Sequence, residues 1–241
     1  MKERGMIFNG EMVRAILDGL KTQTRREVKL NLDIARLATT YDWATSLAAN
    51  HYQGLAEEQI QQKAESLRGV IHPVILGNGQ MVSIICPHGK PGDRIWVREA
   101  FRVHSRATDV ATLVYKASER NSWTEQTHRV PVAVCNKPAT PEKWTPSLHM
   151  PRWASRILLE ITDVRVERLN AISQEDARAE GIIDGGCLNC GEPEPCGCAN
   201  PEPDATDAFA YLWQSIYGQE SWNANPWVWV IEFERVEGGA A

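Results

Sequence analysis

Four of the six cysteines fall within twelve residues: Cys187, Cys190, Cys196 and Cys198. Their pattern is C-x-x-C, five residues, then C-x-C. Four thiolates so close together suit a tetrahedral Zn²⁺. Such a zinc is structural, because four protein ligands leave no open position for chemistry. Without metal, the stretch is a flexible loop of reduced or partly oxidised thiols. Cys86 and Cys135 stand alone and read as small core residues. A second cluster is Lys21-Thr22-Gln23-Thr24-Arg25-Arg26. Along a strand Thr22, Thr24 and Arg26 share one face, and Arg26 is able to grip a phosphate or an oxyanion. The third is His149-Met150-Pro151-Arg152-Trp153. There Trp153 offers a stacking platform and Arg152 a phosphate contact; the plainer alternative is a packed turn entering a strand.

The chain has 241 residues and a net charge of −5. That acidity is local. Asp184 to Asp207 holds six acids and no Lys or Arg, which leaves the remainder at +1. The first 29 residues carry seven bases against four acids. A mild overall acidity therefore does not exclude a nucleic-acid partner. At 43% hydrophobic and 24% charged, the chain can bury a core, and disorder over most of its length is excluded. No stretch approaches the roughly 20 apolar residues of a membrane span. The start, Met1-Lys2-Glu3-Arg4, has no apolar run behind it, so a cytoplasmic protein with no membrane partner is expected.

The elements that must position these clusters follow from periodicity. Asn9 caps a helix running to Asp18, with Met12, Val13, Ile16 and Leu17 as its apolar stripe. Gly19 ends it, and Lys21 to Val28 alternates as a strand does. Leu55 to Leu67 is an amphipathic helix. Strands are expected at Met6–Phe8, Val82–Cys86, Arg94–Phe101, Leu113–Lys116, Arg129–Val134, Ala154–Val166 and Trp227–Arg235. His88 to Asp93 is a Gly/Pro turn. Ser173 caps a second helix, Asp176 completes a capping box, and Gly181 stops it. Asp207 to Tyr217 is helical, with Phe209, Leu212, Trp213 and Ile216 on one face. Many short strands with a few helices indicate an α+β fold around a small barrel.

Four blocks in this order resemble the ASCH domain, a relative of the PUA RNA-binding domain. They are Ile16 to Arg26, Lys90-Pro-Gly-Asp-Arg-Ile-Trp-Val-Arg98, Ala154 to Val164 running into the helix through Glu180, and Trp229-Val-Ile-Glu-Phe233. The likeness covers nearly the whole chain and points to the ASCH proteins carried by phages and prophages. It implies one PUA-like domain over 1–241, a small β-barrel with flanking helices, living in a bacterial host cell. Three insertions interrupt it: a helical one at about 30–80, an irregular or strand-bearing one at 102–150, and the Cys-rich one at 184–206.

The chain is also similar to the bacterial N4-acetylcytidine amidohydrolases, small ASCH domains with a Lys, Thr and Glu catalytic set. That resemblance puts the Lys on Lys21, the Thr on Thr24 and the Glu on Glu180, with Glu175 or Asp176 as alternatives. Thr22, Arg26, Arg152 and Trp153 would bind substrate. Removing an acetyl group from an exocyclic amine needs a nucleophile, a proton shuttle and an oxyanion stabiliser. Thr24 supplies a hydroxyl, Lys21 an activator if its pKa is lowered, and Glu180 an acid/base. The trio requires Lys21 to sit in the turn after Gly19, since strict alternation turns Lys21 and Thr24 to opposite faces. The expected function is deacylation of an N4-acylated cytidine or a similar modified nucleoside. An RNA-binding module without hydrolysis and a ribonuclease are the alternatives.

Overall fold

A computed structural model describes residues 1–29, 33–39, 42, 43, 46, 54, 56–182 and 205–236. Its main sheet has five strands: β1 (Glu3–Ile7), β2 (Gln23–Glu27), β6 (Arg94–Arg98), β10 (Leu158–Arg168) and β11 (Trp227–Arg235). Their order is β1-β6-β10-β11-β2. Only β1 and β6 run parallel. The remaining pairs are antiparallel, with β10 and β11 forming the long central ladder.

The fold is mixed α+β, as the pattern predicts, but the strands do not close into a barrel. The strands β1 and β2 are the two edges of the ladder. Side chains bridge them instead: Arg26 donates to the Ile7 carbonyl at 2.8 Å and lies 5.4 Å over the Phe8 ring. A guanidinium therefore stands where barrel closure would place backbone hydrogen bonds.

Alternation along β11 explains its position. Trp229, Ile231 and Phe233 enter the main core with Ile95, Leu159 and Ile161. Val228 and Val230 face the other way, into a second core with Leu169, Ala177, Phe209 and Trp213. A strand buried on both faces reads as a near-continuous apolar run, and Trp227 to Phe233 does so.

The helices supply the covers. The helix α1 (Gly10–Leu17) begins at Asn9, whose side chain accepts from the Met12 amide at 2.8 Å. The helix α4 (Gln174–Ala179) begins at Ser173, which accepts from the Asp176 amide. Asp176 does not complete the expected capping box; its carboxylate pairs with Arg25 and Arg165. Helices α5 (Ala205–Tyr217) and α6 (Gln219–Asn223) pack on each other through Phe209, Trp213 and Trp222.

Two three-stranded sheets flank this frame. The described part of 30–80 holds helix α2 (Glu57–Ser66) and also β3 (Ile34–Leu37) and β4 (His72–Leu76), which pair onward with β5 (Met81–Ile84). That insertion is thus a sheet as well as a helix. Within 102–150, β7 (Phe101–Arg106), β8 (Val110–Tyr115) and β9 (Thr127–Pro131) form the third sheet over its own core. A short helix α3 (Trp123–Gln126) leads into β9. The 184–206 insertion lies outside the described residues, Ala205 and Thr206 excepted. No helix among the described residues is long and apolar enough to cross a membrane.

Candidate functional site

Lys21 lies between the end of α1 and the start of β2. Its amide donates to the Ala15 carbonyl at 3.0 Å, and the Thr22 amide donates to the Ala179 carbonyl at 2.8 Å. The ladder with β11 opens one residue later, where the Thr22 carbonyl accepts from Phe233. Lys21 and Glu180 form an isolated backbone bridge. The start of β2 is thereby stitched to the end of α4.

Gly181 makes that approach feasible. Its φ is +88°, and a Cβ there would meet the Ala15 Cβ at 2.8 Å and the Lys21 Cβ at 3.1 Å. Glycine alone takes this backbone and leaves this space.

The side chains repeat the link. Lys21 is 2% exposed and Glu180 3%. The Lys21 Nζ donates to the Glu180 carbonyl at 2.9 Å and to its Oε2 at 2.5 Å. Arg25 reaches Glu180 Oε1 at 3.4 Å, Asp176 at 3.0 Å and Glu167 at 3.3 Å. Arg165 extends the chain by donating to Asp176, Glu167, Glu232 and Gln23. Lysine, arginine and carboxylate thus alternate from Lys21 outward to Glu232. Buried charges are tolerated only when paired in this way.

Electrostatics follow burial. Loss of water pulls the Lys21 ammonium below the ordinary lysine range; Glu180 opposes this, while Arg26 and Arg25 add to it. Burial raises Asp176, but Arg25 and Arg165 outweigh it and hold that carboxyl below its usual range.

Thr24 is 2% exposed and pairs with Ile231 in the ladder. Its hydroxyl makes no hydrogen bond among the described residues. Thr24, Arg25, Arg26 and Glu180 line one small cavity roofed by Phe209, Leu212, Trp213 and Ile216 of α5. Arg25 lies 5.8 Å from the Phe209 ring centroid. The space is about 20 Å³, enough for a single water. A nucleoside does not fit while α5 is down.

The other sequence-derived candidates are scattered. Thr22 is exposed and contributes backbone bonds. Arg26 sits at the cavity edge, spent on Ile7 and, at 3.4 Å, on the Tyr217 hydroxyl. Glu175 is exposed on α4, away from the pair. Arg152 pairs with Glu3 at 2.9 Å. Trp153 packs edge-on against Phe101 at 6.2 Å, in the core of the third sheet. None of the contacts made by Arg152 or Trp153 reaches Lys21, Thr24 or Glu180. Cys187, Cys190, Cys196 and Cys198 lie outside the described residues. Among the described residues no His, Cys, Asp and Glu cluster could hold a metal ion.

Sequence reasoning gave Arg25 one role, with Arg26, as a charge lowering the Lys21 pKa, which the burial of the site bears out, and missed its carboxylate partners. The available signal is parity: Lys21, Gln23 and Arg25 alternate on the side that meets α4. Compared with known protein families, with curated proteins and with solved structures, the chain matches none.

Proposed function

We propose that the protein is an ASCH-type, PUA-like amidohydrolase that removes an acyl group from the exocyclic amine of a cytidine or similar modified nucleoside. The observation that carries this reading is the Lys21–Glu180 contact: a lysine without water, its pKa lowered, 2.5 Å from a carboxylate. The contact sets an amine whose proton is held less tightly than usual beside a carboxylate, the two kinds of group that general acid–base catalysis uses.

The substrate acyl carbon then lies between Thr24 and the pair. Thr24 pairs with Ile231 on the main-core side while Lys21 and Arg25 face α4, so β2 has to turn Thr24 toward the pair before Lys21 takes its proton as the hydroxyl attacks and Glu180 protonates the departing amine. Water hydrolyses the acyl-threonine. Arg26, at the cavity edge, reaches an oxyanion only by giving up the Tyr217 hydroxyl or the Ile7 carbonyl it now holds. Entry requires α5 to lift, because the closed cavity holds one water.

That small cavity also favours a second reading, an RNA-binding module in which the pair only ties β2 to α4. Incubation with N4-acetylcytidine and with RNA, for wild type and Thr24→Ala, separates the two. Cytidine release that the substitution abolishes supports the hydrolase. RNA retention in both proteins with no cytidine from either overturns it. Lys21 acts as a base only once it is neutral, so the rate is expected to rise with pH through a midpoint lower than the 10.5 of a free lysine.

A further inference from the structure

A larger cavity lies away from Lys21, where the 30–80 insertion rests on β10. Its volume is about 440 Å³, within the range of small-molecule sites. Trp43, Arg68, His72, Asp163 and Arg165 contribute to its walls. Arg165 is committed to four partners already. The other polar groups are not.

His72 is 8% exposed, and its ring is hydrogen-bonded to the Gly69 backbone. Burial lowers its pKa, so the ring is neutral at neutral pH. With one nitrogen on Gly69, Nε2 is left as an acceptor, and it has no partner. Asp163 is close enough to His72 to favour its charged form, yet its carboxylate has no hydrogen bond among the described residues. The Arg68 guanidinium likewise has no ion pair among them. A buried acceptor without a donor is uncommon in a folded protein. Beside it, a carboxylate and a guanidinium, each without a partner among the described residues, line the cavity.

These groups describe a ligand. One wall asks for an N–H donor, at the Asp163 carboxylate, with the His72 ring buried behind it against Trp229. Arg68 asks for an anion. Trp43 offers an aromatic face to a planar ring. We infer that this cavity is a nucleotide site, taking a mononucleotide whose base carries an exocyclic amino group. The amine edge meets Asp163, and the phosphate meets Arg68. This site stands independently of the Lys21 chemistry.

Titration calorimetry on the full chain tests the assignment with AMP, CMP, UMP and adenosine. Saturable binding of AMP and CMP is expected, with UMP, which has no exocyclic amine, at least tenfold weaker. Adenosine, lacking phosphate, is expected to bind about tenfold more weakly than AMP. Asp163→Asn should abolish the preference over UMP, and Arg68→Ala the preference over adenosine. Neither side chain has a bond to lose, so both variants should keep the wild-type melting temperature. No saturable heat with AMP or CMP at millimolar concentration would overturn the proposal. So would binding that neither substitution alters.

Discussion

The Lys21–Glu180 pair is the most demanding feature of the molecule at the scale of single residues. Both side chains have lost nearly all contact with water, and each relies on the other. Removing one partner leaves an uncompensated buried charge, at about 3–5 kcal/mol. Glu180→Ala and Lys21→Met are each expected to lower stability by that amount in urea titrations. The double substitution Lys21→Met/Glu180→Leu should be less destabilising than either. Equal, additive losses would mean that the pair is not coupled. A second residue-scale expectation concerns His88. Burial, then Arg26, then Arg4 push its pKa down to about 4, against about 6.5 in an unfolded chain. Between those values the unfolded state binds the extra proton. Stability is therefore lost as pH falls from about 6.5 towards 4, on the order of 2–3 kcal/mol. Denaturation midpoints at pH 7 and pH 5 measure it, and His88→Gln should flatten the slope. Sequence reasoning reached Lys21 and Glu180 through a resemblance to a motif, and left Glu175 and Asp176 open. It placed Arg25 only as a charge beside Lys21 that lowers the lysine pKa, because the carboxylates it pairs with, on Glu167, Asp176 and Glu180, are distant in the chain. Only the tertiary fold brings them together.

Two elements decide whether the site works. The first is the α4 terminus, where Gly181 lets Lys21 lie against Glu180. Gly181→Ala would force a left-handed backbone costing about 1–2 kcal/mol. The added Cβ, at 2.8 Å from Ala15, raises that further. A melting-temperature drop with loss of any deacylase activity is expected; an unchanged melting temperature would contradict the packing described. The second is α5, the roof. Leu212→Ala opens the cavity at its half-buried wall, costing about 2 kcal/mol or more. A lower KM for N4-acetylcytidine with little change in kcat is expected, while Tyr211→Ala, on the exposed face, should alter neither. Elements with strong local signals were readable: α1 and α4 from their caps, β11 from its apolar run. Of the β3-β4-β5 sheet only β5 was, expected at Val82–Cys86 and found at Met81–Ile84. Its strands are short, one carries Pro73, and their pairing is decided by contacts outside each strand rather than by periodicity within it.

For the whole molecule, the acidic stretch and the buried charge network sort the protein into regions of different electrostatic character. The network from Lys21 to Glu232 sets three cations against four carboxylates, buried at Lys21, Arg25 and Glu180 and open to solvent at Glu232. Residues 184–207 carry six acids without a base. Atomic absorption on protein purified without chelator is expected to find one zinc per chain. Cys187→Ser and Cys196→Ser should each remove it. Metal-free protein with four rapidly titrating thiols would rule the cluster out as a zinc site. The α+β class was legible from many short strands and few helices. Barrel closure was not, since it depends on whether the β1 and β2 edges hydrogen-bond or leave a side chain between them. That choice rests on Arg26 and Phe8 in three dimensions.

The strand order has a temporal side. The edge strand β2 finds its ladder only on β11, with Thr24 opposite Ile231. The other edge, β1, waits for β6. During synthesis the segment bearing Lys21 and Arg25 leaves the ribosome early and stays unpaired, hydrated and open to stray strand partners. It is sealed only when Trp227 to Arg235 has emerged. Such distant pairings fold slowly and leave intermediates prone to aggregate. Desolvating Lys21 thus waits on β11, and a chain halted before β11 has the residues of the site without the site.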